Sequence, residues 1–167
     1  PSSGNLHPTE LHLVSNNFPG IENGAYHYLV KEHALELRAK GQLVDMLSEL
    51  LSMPELADSP LVLVLSSIFW REAWKYRDRA YRYCQLDLGH AAAALSLSAA
   101  ARSFACRLIG EFPDRQMQEL LGLEDSDEKT MLIIPLYPFS KISFSDKPAS
   151  KQAVSRFSSG KQTDLTK

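Results

Sequence analysis

The sequence has little of several features that mark particular classes of protein. It contains two cysteines, Cys84 and Cys106, which are too few and too far apart to predict a disulfide scaffold or a zinc site. A net charge of −2 and a pI near 6.2 argue against general nucleic-acid binding, which usually requires a basic surface. The longest apolar run, Leu61–Leu65, is too short to cross a membrane. No secretory signal is visible, so we expect a reducing, cytoplasmic location.

The composition that is present is typical of an ordinary folded domain. Hydrophobic residues make up 44% and charged residues 23% of the 167 positions, as in soluble globular proteins. The chain does not begin with Met and its first residues belong to a motif, so we expect a piece of a longer protein. Beyond Pro138 the sequence is rich in Ser and Lys. We therefore expect one domain over residues 1–140 and a poorly ordered tail over residues 141–167.

The first half of the chain carries strand patterns and one helix pattern. Leu11–Val14 and Gly24–Val30 predict two strands, and the turn residues between them predict a hairpin. Apolar residues at helical spacing predict a helix over Gln42–Leu51. Leu61–Leu65 is apolar on both faces, which is typical of a buried central strand.

One long helix dominates the second half. The pattern over Tyr81–Phe104 predicts this helix, and its two alanine runs form a small-residue face that allows another helix to approach closely. Arg115–Leu121 predicts a short helix that ends at Gly122, followed by a charged loop over Glu124–Lys129. Met131–Ile134 predicts a last buried strand. Strands first, then a long helix and a late strand predict an α+β fold rather than a regular βαβ series.

The first ten residues form a short polar loop that leads into the first predicted strand. They read Pro-Ser-Ser-Gly-Asn-Leu-His-Pro-Thr-Glu, and Gly4 permits backbone angles that other residues avoid. The run resembles the Pro-Ser-x-x-Asn-x-Gln-Pro loop of the nitroreductase superfamily, with His7 in place of Gln. The resemblance implies that Ser2, Ser3 and Asn5 contact a flavin mononucleotide (FMN). Taken alone, the same residues also suit a capped turn before a strand.

A second informative stretch, Trp70–Tyr83, alternates basic residues with large aromatic residues and is followed by Gly89-His90. It resembles the Trp-Lys-Tyr-x-x-Arg-x-Tyr-Arg-Tyr pattern and Gly-His helix of SagB-type dehydrogenases, a nitroreductase branch that includes azoline oxidases. The resemblance implies that Lys75 and Tyr76 are the catalytic pair. Aromatising an azoline sends a hydride to flavin N5 and removes a proton from the neighbouring carbon, which a desolvated Lys can accept beside a Tyr hydroxyl. The alternative is a solvated basic segment whose aromatic residues cover the edge of the core.

A third, fainter resemblance covers Ala101–Phe112. This segment is similar to the family's Ala-Leu-Gly-Leu-Gly-x-x-Pro-Ile-Gly-x-Phe turn, which lies against the flavin. The resemblance implies cofactor contacts from Ile109 and Gly110. The turn differs from the family pattern at Arg102, Ser103, Ala105 and Leu108.

The five histidines show no spacing typical of a metal site and no Glu-linked pair, so we expect no bound metal. His12 and His27 fall within the predicted hairpin, where we expect structural roles. His90 follows a glycine, and a packed or capping role is expected for it.

The three resemblances occur in the family's order and cover about residues 1–138. They imply a nitroreductase-like mixed sheet packed by helices. The fold would be incomplete at its N-terminus, because the family's Arg-rich segment that clamps the flavin phosphate would precede Pro1. They also imply an FMN-dependent oxidoreductase that acts on a small-molecule or peptide substrate. Family members are homodimers with flavin at the interface, and the Ser-x-x-Asn loop comes from the partner subunit.

Two alternatives to this function remain open. One is an NAD(P)H-dependent nitro- or quinone reductase, against which the Lys75–Tyr76 pair weighs. The other is a non-catalytic, flavin-less half-domain used for dimerisation or peptide binding. The missing phosphate clamp and the substituted turn at 101–112 favour this second alternative.

Overall fold

The fold is an α+β sheet-and-helix arrangement, seen here in a computed structural model that describes residues 2–141. The strands are β1 (Thr9–Ser15), β2 (Gly24–Leu29), β3 (Ala34–Lys40), β4 (Leu61–Ile68), β5 (Phe104–Cys106) and β6 (Glu128–Pro138). The helices are α1 (Leu43–Leu50), α2 (Trp70–Tyr76), α3 (Ala80–Ala101) and α4 (Asp114–Leu121). Pro1 and the predicted tail beyond Lys141 lie outside the described residues.

The strands form one six-stranded sheet in the order β3-β2-β1-β4-β6-β5. Each neighbouring pair in this described sheet is antiparallel, whereas the resemblance implies a mixed sheet. The predicted α+β fold is confirmed. Among residues 2–141, no helix is long and apolar enough to span a membrane.

The sheet separates two apolar cores, which explains why β4 is apolar on both of its faces. Val64 packs in one core with Leu47 of α1 and Met117 of α4. Leu63 packs in the other core with Leu88 of α3. Each such fully buried side chain contributes roughly 1.5–3 kcal/mol to folding. The predicted buried central strand is therefore confirmed, with helices on both sides of it.

The remaining elements follow the strength of their sequence patterns. The hairpin is confirmed by the pairing of His12 with His27, and the long helix is confirmed with its end at Ala101. The edge strand β3 is a strand that the sequence analysis does not assign, because its residues are almost all exposed and lack a buried face. The predicted charged loop is wrong at its end, because β6 already begins at Glu128 and buries that side chain.

Candidate functional site

The opening loop is fastened to α3 by one carboxylate, that of Asp87. The Ser2 hydroxyl donates to its Oδ2 at 2.7 Å and the Ser3 hydroxyl donates to its Oδ1 at 2.8 Å. The Ser3 amide lies 3.0 and 2.9 Å from the two oxygens. Because Asp87 is only 8% exposed, these donors make a strong, directional anchor. The sequence analysis assigns no role to Asp87, although its position just before Gly89-His90 in the SagB-like motif is a signal that could have found it.

Gly4 brings the middle of this loop against the predicted catalytic pair. Its φ is 60°, a left-handed conformation that glycine adopts without strain. A Cβ atom at this position would lie 2.5 Å from Tyr76 Oη and 2.6 Å from Lys75 Nζ, closer than real contacts allow. Two motifs that are about seventy residues apart in sequence therefore meet in one place, and a larger residue at Gly4 would force the ends of both side chains to move.

Lys75 and Tyr76 form the last turn of α2. Lys75 Nζ lies 5.4 Å from the centre of the Tyr76 ring, and that ring packs against the ring of Tyr83 at 4.4 Å between centroids. Tyr76 is partly buried, whereas Lys75 is exposed to solvent in the single chain. The desolvated pocket that the resemblance implies for this lysine is not formed by residues 2–141 of one chain alone.

A cavity of about 360 Å³ lies between the opening loop, β1, β2 and α3. Its wall is mostly apolar and includes Leu11, Ala91 and Leu95, while Ser2 and Asp87 supply polar groups. Its volume falls in the range of small-molecule sites, which are apolar clefts with a few fixed polar groups. The loop and the long helix thus place Ser2, one of the predicted cofactor-binding residues, at the edge of a cleft.

Asn5 and His7 complete the opening loop. Both have positive φ angles, 60° for Asn5 and 48° for His7, so the loop is tightly curled. Asn5 Oδ1 lies 2.9 Å from His7 Nε2, and the His7 amide donates to Ser2 Oγ at 2.9 Å. The His7 carbonyl in turn accepts a hydrogen bond from Arg71 at 2.8 Å. These contacts stabilise the loop shape and leave both Asn5 and His7 exposed at its surface.

Ile109 and Gly110, the other predicted cofactor-binding residues, are not brought to this cleft. Ile109 is buried in the core, and its amide donates to the Ile133 carbonyl at 2.9 Å while its own carbonyl accepts from Ile133. Gly110 lines a different cavity of about 350 Å³ beside the stacked rings of Phe69 and Tyr81. The two cavities share no lining residue, so one chain presents these predicted residues on two separate surfaces.

Glu72 lies on α2, one turn before Lys75, and is completely buried. Neither of its carboxylate oxygens has a hydrogen-bond partner among the described residues. Burial raises the pKa of this carboxyl group, the negative charge of Asp87 raises the pKa further, and the positive charge of Lys75 opposes both effects. The sequence analysis gives Glu72 no role, because its burial depends on how α2 packs against α3.

A second buried carboxylate, Glu128, has the opposite surroundings. It lies 2.6 Å from His12 Nε2 and also accepts a hydrogen bond from the Ser66 hydroxyl. Burial would raise the pKa of Glu128, but the hydrogen bonds from His12 and Ser66 and the nearby histidine charges lower it overall. The ring of His12 stacks on that of His27 at 4.8 Å. No sequence spacing indicates this His12–Glu128 pair, because the two partners lie far apart in the sequence.

The polar network around Glu128 extends to the opening loop. His27 Nε2 lies 3.2 Å from Glu10, and Glu10 accepts from Arg71, the residue that also donates to His7. Within residues 2–141, no group of three metal-ligating side chains comes together. The arrangement of hydrogen bonds indicates a structural network that joins the sheet to α2 and the loop.

Comparison with known proteins identifies the class to which this fold and site belong. The family model of the nitroreductase family matches residues 1–136. The chain belongs to the nitroreductase family, whose members are flavin-dependent oxidoreductases.

Two curated relatives are similar over most of the chain. MJ1384, a predicted nitroreductase of Methanocaldococcus jannaschii, is 27% identical over 138 residues, which cover 81% of this chain and 68% of the relative. TfxB, a trifolitoxin-processing protein of Rhizobium leguminosarum bv. trifolii, is 31% identical over 137 residues. That match covers 78% of this chain but only 37% of TfxB, so the chain spans a minor part of this second relative.

Solved structures share the fold. A predicted nitroreductase from Anabaena variabilis is 33% identical with a TM-score of 0.79, over 86% of this chain and 30% of that one. The E. coli microcin synthetase McbBCD complex, with truncated pro-MccB17 bound, is 25% identical with a TM-score of 0.70, over 82% of this chain and 54% of that one. NADPH:FMN oxidoreductase from Vibrio harveyi, complexed with NAD⁺, is 17% identical with a TM-score of 0.60, over 98% of this chain and 64% of that one, and shows the fold alone.

Proposed function

We propose that this chain is part of an FMN-dependent oxidoreductase of the SagB type, which oxidises azoline rings in a small-molecule or peptide substrate. The close approach of Lys75 Nζ and Tyr76 Oη to the place that a Cβ of Gly4 would occupy carries the proposal, because it joins the flavin-loop motif to the predicted catalytic pair. Two relatives support the substrate class. TfxB is a trifolitoxin-processing protein, and the microcin synthetase complex holds a truncated pro-microcin.

The loop residues suit the edge of a flavin ring. Ser2, Ser3 and Asn5 offer small hydroxyl and amide groups, and Gly4 allows the backbone to approach a flat ligand closely. Asp87 holds both serines in fixed positions, so little ordering would be needed when FMN binds. No Lys or Arg is among the described residues that line the cleft, so we assign the cations for the flavin phosphate to other parts of the protein.

The chemistry divides between the cofactor and this chain. When bound, FMN would supply the acceptor for the hydride. Lys75 Nζ accepts the proton from the carbon next to the one that loses hydride, and Tyr76 Oη positions the substrate or the lysine.

We also propose that the functional unit is a homodimer in which a second copy covers exposed apolar side chains of α2 and α3. Trp70 and Trp74 are 58% and 69% exposed, and Lys75 lies beside them. On α3, Leu86 and Leu97 are 58% and 74% exposed and lie on one side of the helix with small alanines between them. A second copy packed against these exposed side chains would exclude water from Lys75.

The first experiment is to express the full reading frame and record its visible absorbance after purification. We expect a yellow protein that retains FMN and sediments at twice the mass of one subunit. A colourless protein that takes up no added FMN would favour the flavin-less half-domain, for which the bonded amide of Ile109 is the supporting observation. A flavin-loaded monomer would contradict the shared site.

The second experiment separates azoline oxidation from a general flavin reductase. The loaded protein is given an azoline-containing peptide in one assay, and NADPH with a quinone in another. We expect azoline oxidation that requires Lys75. If the quinone is reduced at the same rate in Lys75→Ala as in the wild type, and no azoline is oxidised, the nitro- or quinone-reductase alternative is favoured.

A further inference from the structure

Glu72 is a buried acid that the proposed chemistry does not use. It is fully enclosed, yet neither oxygen is paired with a hydrogen-bond donor among residues 2–141. Buried carboxylates are normally satisfied by several donors, as Glu128 is in this same chain. An ionised carboxylate without donors is very costly inside a protein, so a neutral acid fits this position.

Charged and polar groups from neighbouring elements surround Glu72. Lys75 lies one helical turn further along α2, and residues at this spacing are neighbours on a helix surface. From α3, the negative charge of Asp87 acts on it. The Cys84 thiol of α3 is influenced by both acids and interacts with the Ser67 hydroxyl of β4.

Asp87 and Glu72 are two neighbouring acids with different surroundings. Neither oxygen of Glu72 has a donor among the described residues, whereas Asp87 accepts hydrogen bonds from Ser2 and Ser3. Its negative charge then disfavours a second negative charge on Glu72.

We propose that Glu72 is a positioning residue that stays a neutral acid, so that Lys75 has no adjacent carboxylate to retain its proton. The inference rests on the proposed function of Lys75 as the proton acceptor. A lysine beside an ionised glutamate is held as the ammonium ion and cannot accept a proton. Burial is the main reason that the acid next to the lysine stays uncharged, and Asp87, which also anchors the opening loop, adds to this effect.

The charge state of Glu72 is tested with the full chain and without cofactor. Infrared difference spectra at neutral pH compare the wild type with Glu72→Gln, and the exposed Glu111→Gln variant is the matched control. We expect Glu72→Gln to lose the carbonyl stretch of a protonated carboxylic acid, and Glu111→Gln to lose carboxylate bands. Loss of carboxylate bands in Glu72→Gln would overturn the proposal. If that variant does not fold, carbon NMR of labelled glutamates in the wild type gives the same answer.

The effect on Lys75 is tested by its rate of acylation, followed by mass spectrometry across a pH series. We expect Glu72→Gln and the wild type to react at the same rate at neutral pH. As pH rises and Glu72 ionises, the wild-type rate should fall below that of the variant by about tenfold, the scale of one nearby charge. Different rates at neutral pH, or equal rates at every pH, would overturn the role. Neither readout uses turnover, so a failure of the azoline chemistry would be recognised separately.

Discussion

Glu72 and Glu128 are both buried, but they belong to polar clusters of different kinds. Glu128 is paired with His12 and Ser66 and links strands of the sheet, so its negative charge is stabilised. Glu72 has no such partners among the described residues, and the charges of Asp87 and Lys75 act on its carboxyl group. Burial alone therefore does not set the charge of a carboxyl group. The donors around it do, and an acid left without donors marks the region where chemistry is proposed.

The largest effect is expected on the Glu72 side, from Lys75→Ala. Removing the proton acceptor should reduce substrate oxidation by about 100- to 10,000-fold while FMN stays bound. The fold should be unaffected, because the lysine side chain is exposed. Turnover of the loaded protein is the measurement, and Lys40→Ala, an exposed lysine at the sheet edge, is the control. If Lys75→Ala keeps full turnover, the pair is structural.

The Glu128 side should respond in stability rather than in chemistry. His12→Leu leaves Glu128 buried with only the Ser66 hydroxyl, and removing one partner of a buried pair costs about 3–5 kcal/mol. Urea unfolding of the wild type and the variant measures this loss. Folded His12→Leu protein should oxidise substrate at the normal rate per bound FMN. A stable variant with lost turnover would reverse the assignment of the two clusters.

Asp87→Asn sharpens the comparison within the site. The amide keeps the shape of the side chain but removes the charge that accepts from Ser2 and Ser3, and hydrogen bonds to a charged group contribute about 1.5–3 kcal/mol. We expect weaker FMN retention, measured by titration of the apoprotein. The exposed Asp125→Asn variant should bind as the wild type does. Unchanged FMN affinity in Asp87→Asn would mean that the loop does not contact the cofactor.

The smallest expected effect is a difference in pH dependence between the two acids. The pKa of Glu128 is lowered by folding, so its stabilising contribution is present above its ordinary value and is lost as pH falls through the folded pKa. The pKa of Glu72 is raised, so its contribution is complete below the ordinary value and is lost as pH rises through the folded pKa. As pH rises, the unfolding free energy of Glu72→Gln should therefore increase relative to that of the wild type. As pH rises towards the ordinary glutamate pKa from below, the unfolding free energy of Glu128→Gln should decrease relative to that of the wild type. The same sign for both variants would contradict the contrast.

The parts of the fold that could be predicted are those with strong local patterns. The strand at Leu61–Leu65 and the alanine-rich helix follow directly from apolar periodicity and composition. The exposed strand Ala34–Lys40 could not be assigned, because its pairing with β2 supplies the stability that its sequence pattern does not show. The antiparallel sheet also depends on pairings that no single segment encodes.

The candidate site was predictable only as separate motifs. The resemblance assigns roles to Ser2, Lys75 and Tyr76, and the structure brings these segments together through Gly4. The resemblance could not predict the anchoring role of Asp87 or the burial of Glu72, because both depend on how the loop and α2 pack on α3. The separation of Ile109 from the loop was equally invisible, since it follows from a bridge to Ile133.

The central claim is that the opening loop and Lys75 form one site. A double-mutant cycle between Gly4→Ala and Lys75→Ala tests this claim most directly. A methyl group at Gly4 would collide with Lys75 Nζ and Tyr76 Oη and displace them. In the FMN-loaded protein, we predict that Gly4→Ala lowers azoline oxidation strongly in the wild type but much less in the Lys75→Ala background, because the displaced amine is already absent. Equal fold losses in both backgrounds would contradict the claim, since they would mean that the loop and the lysine act independently.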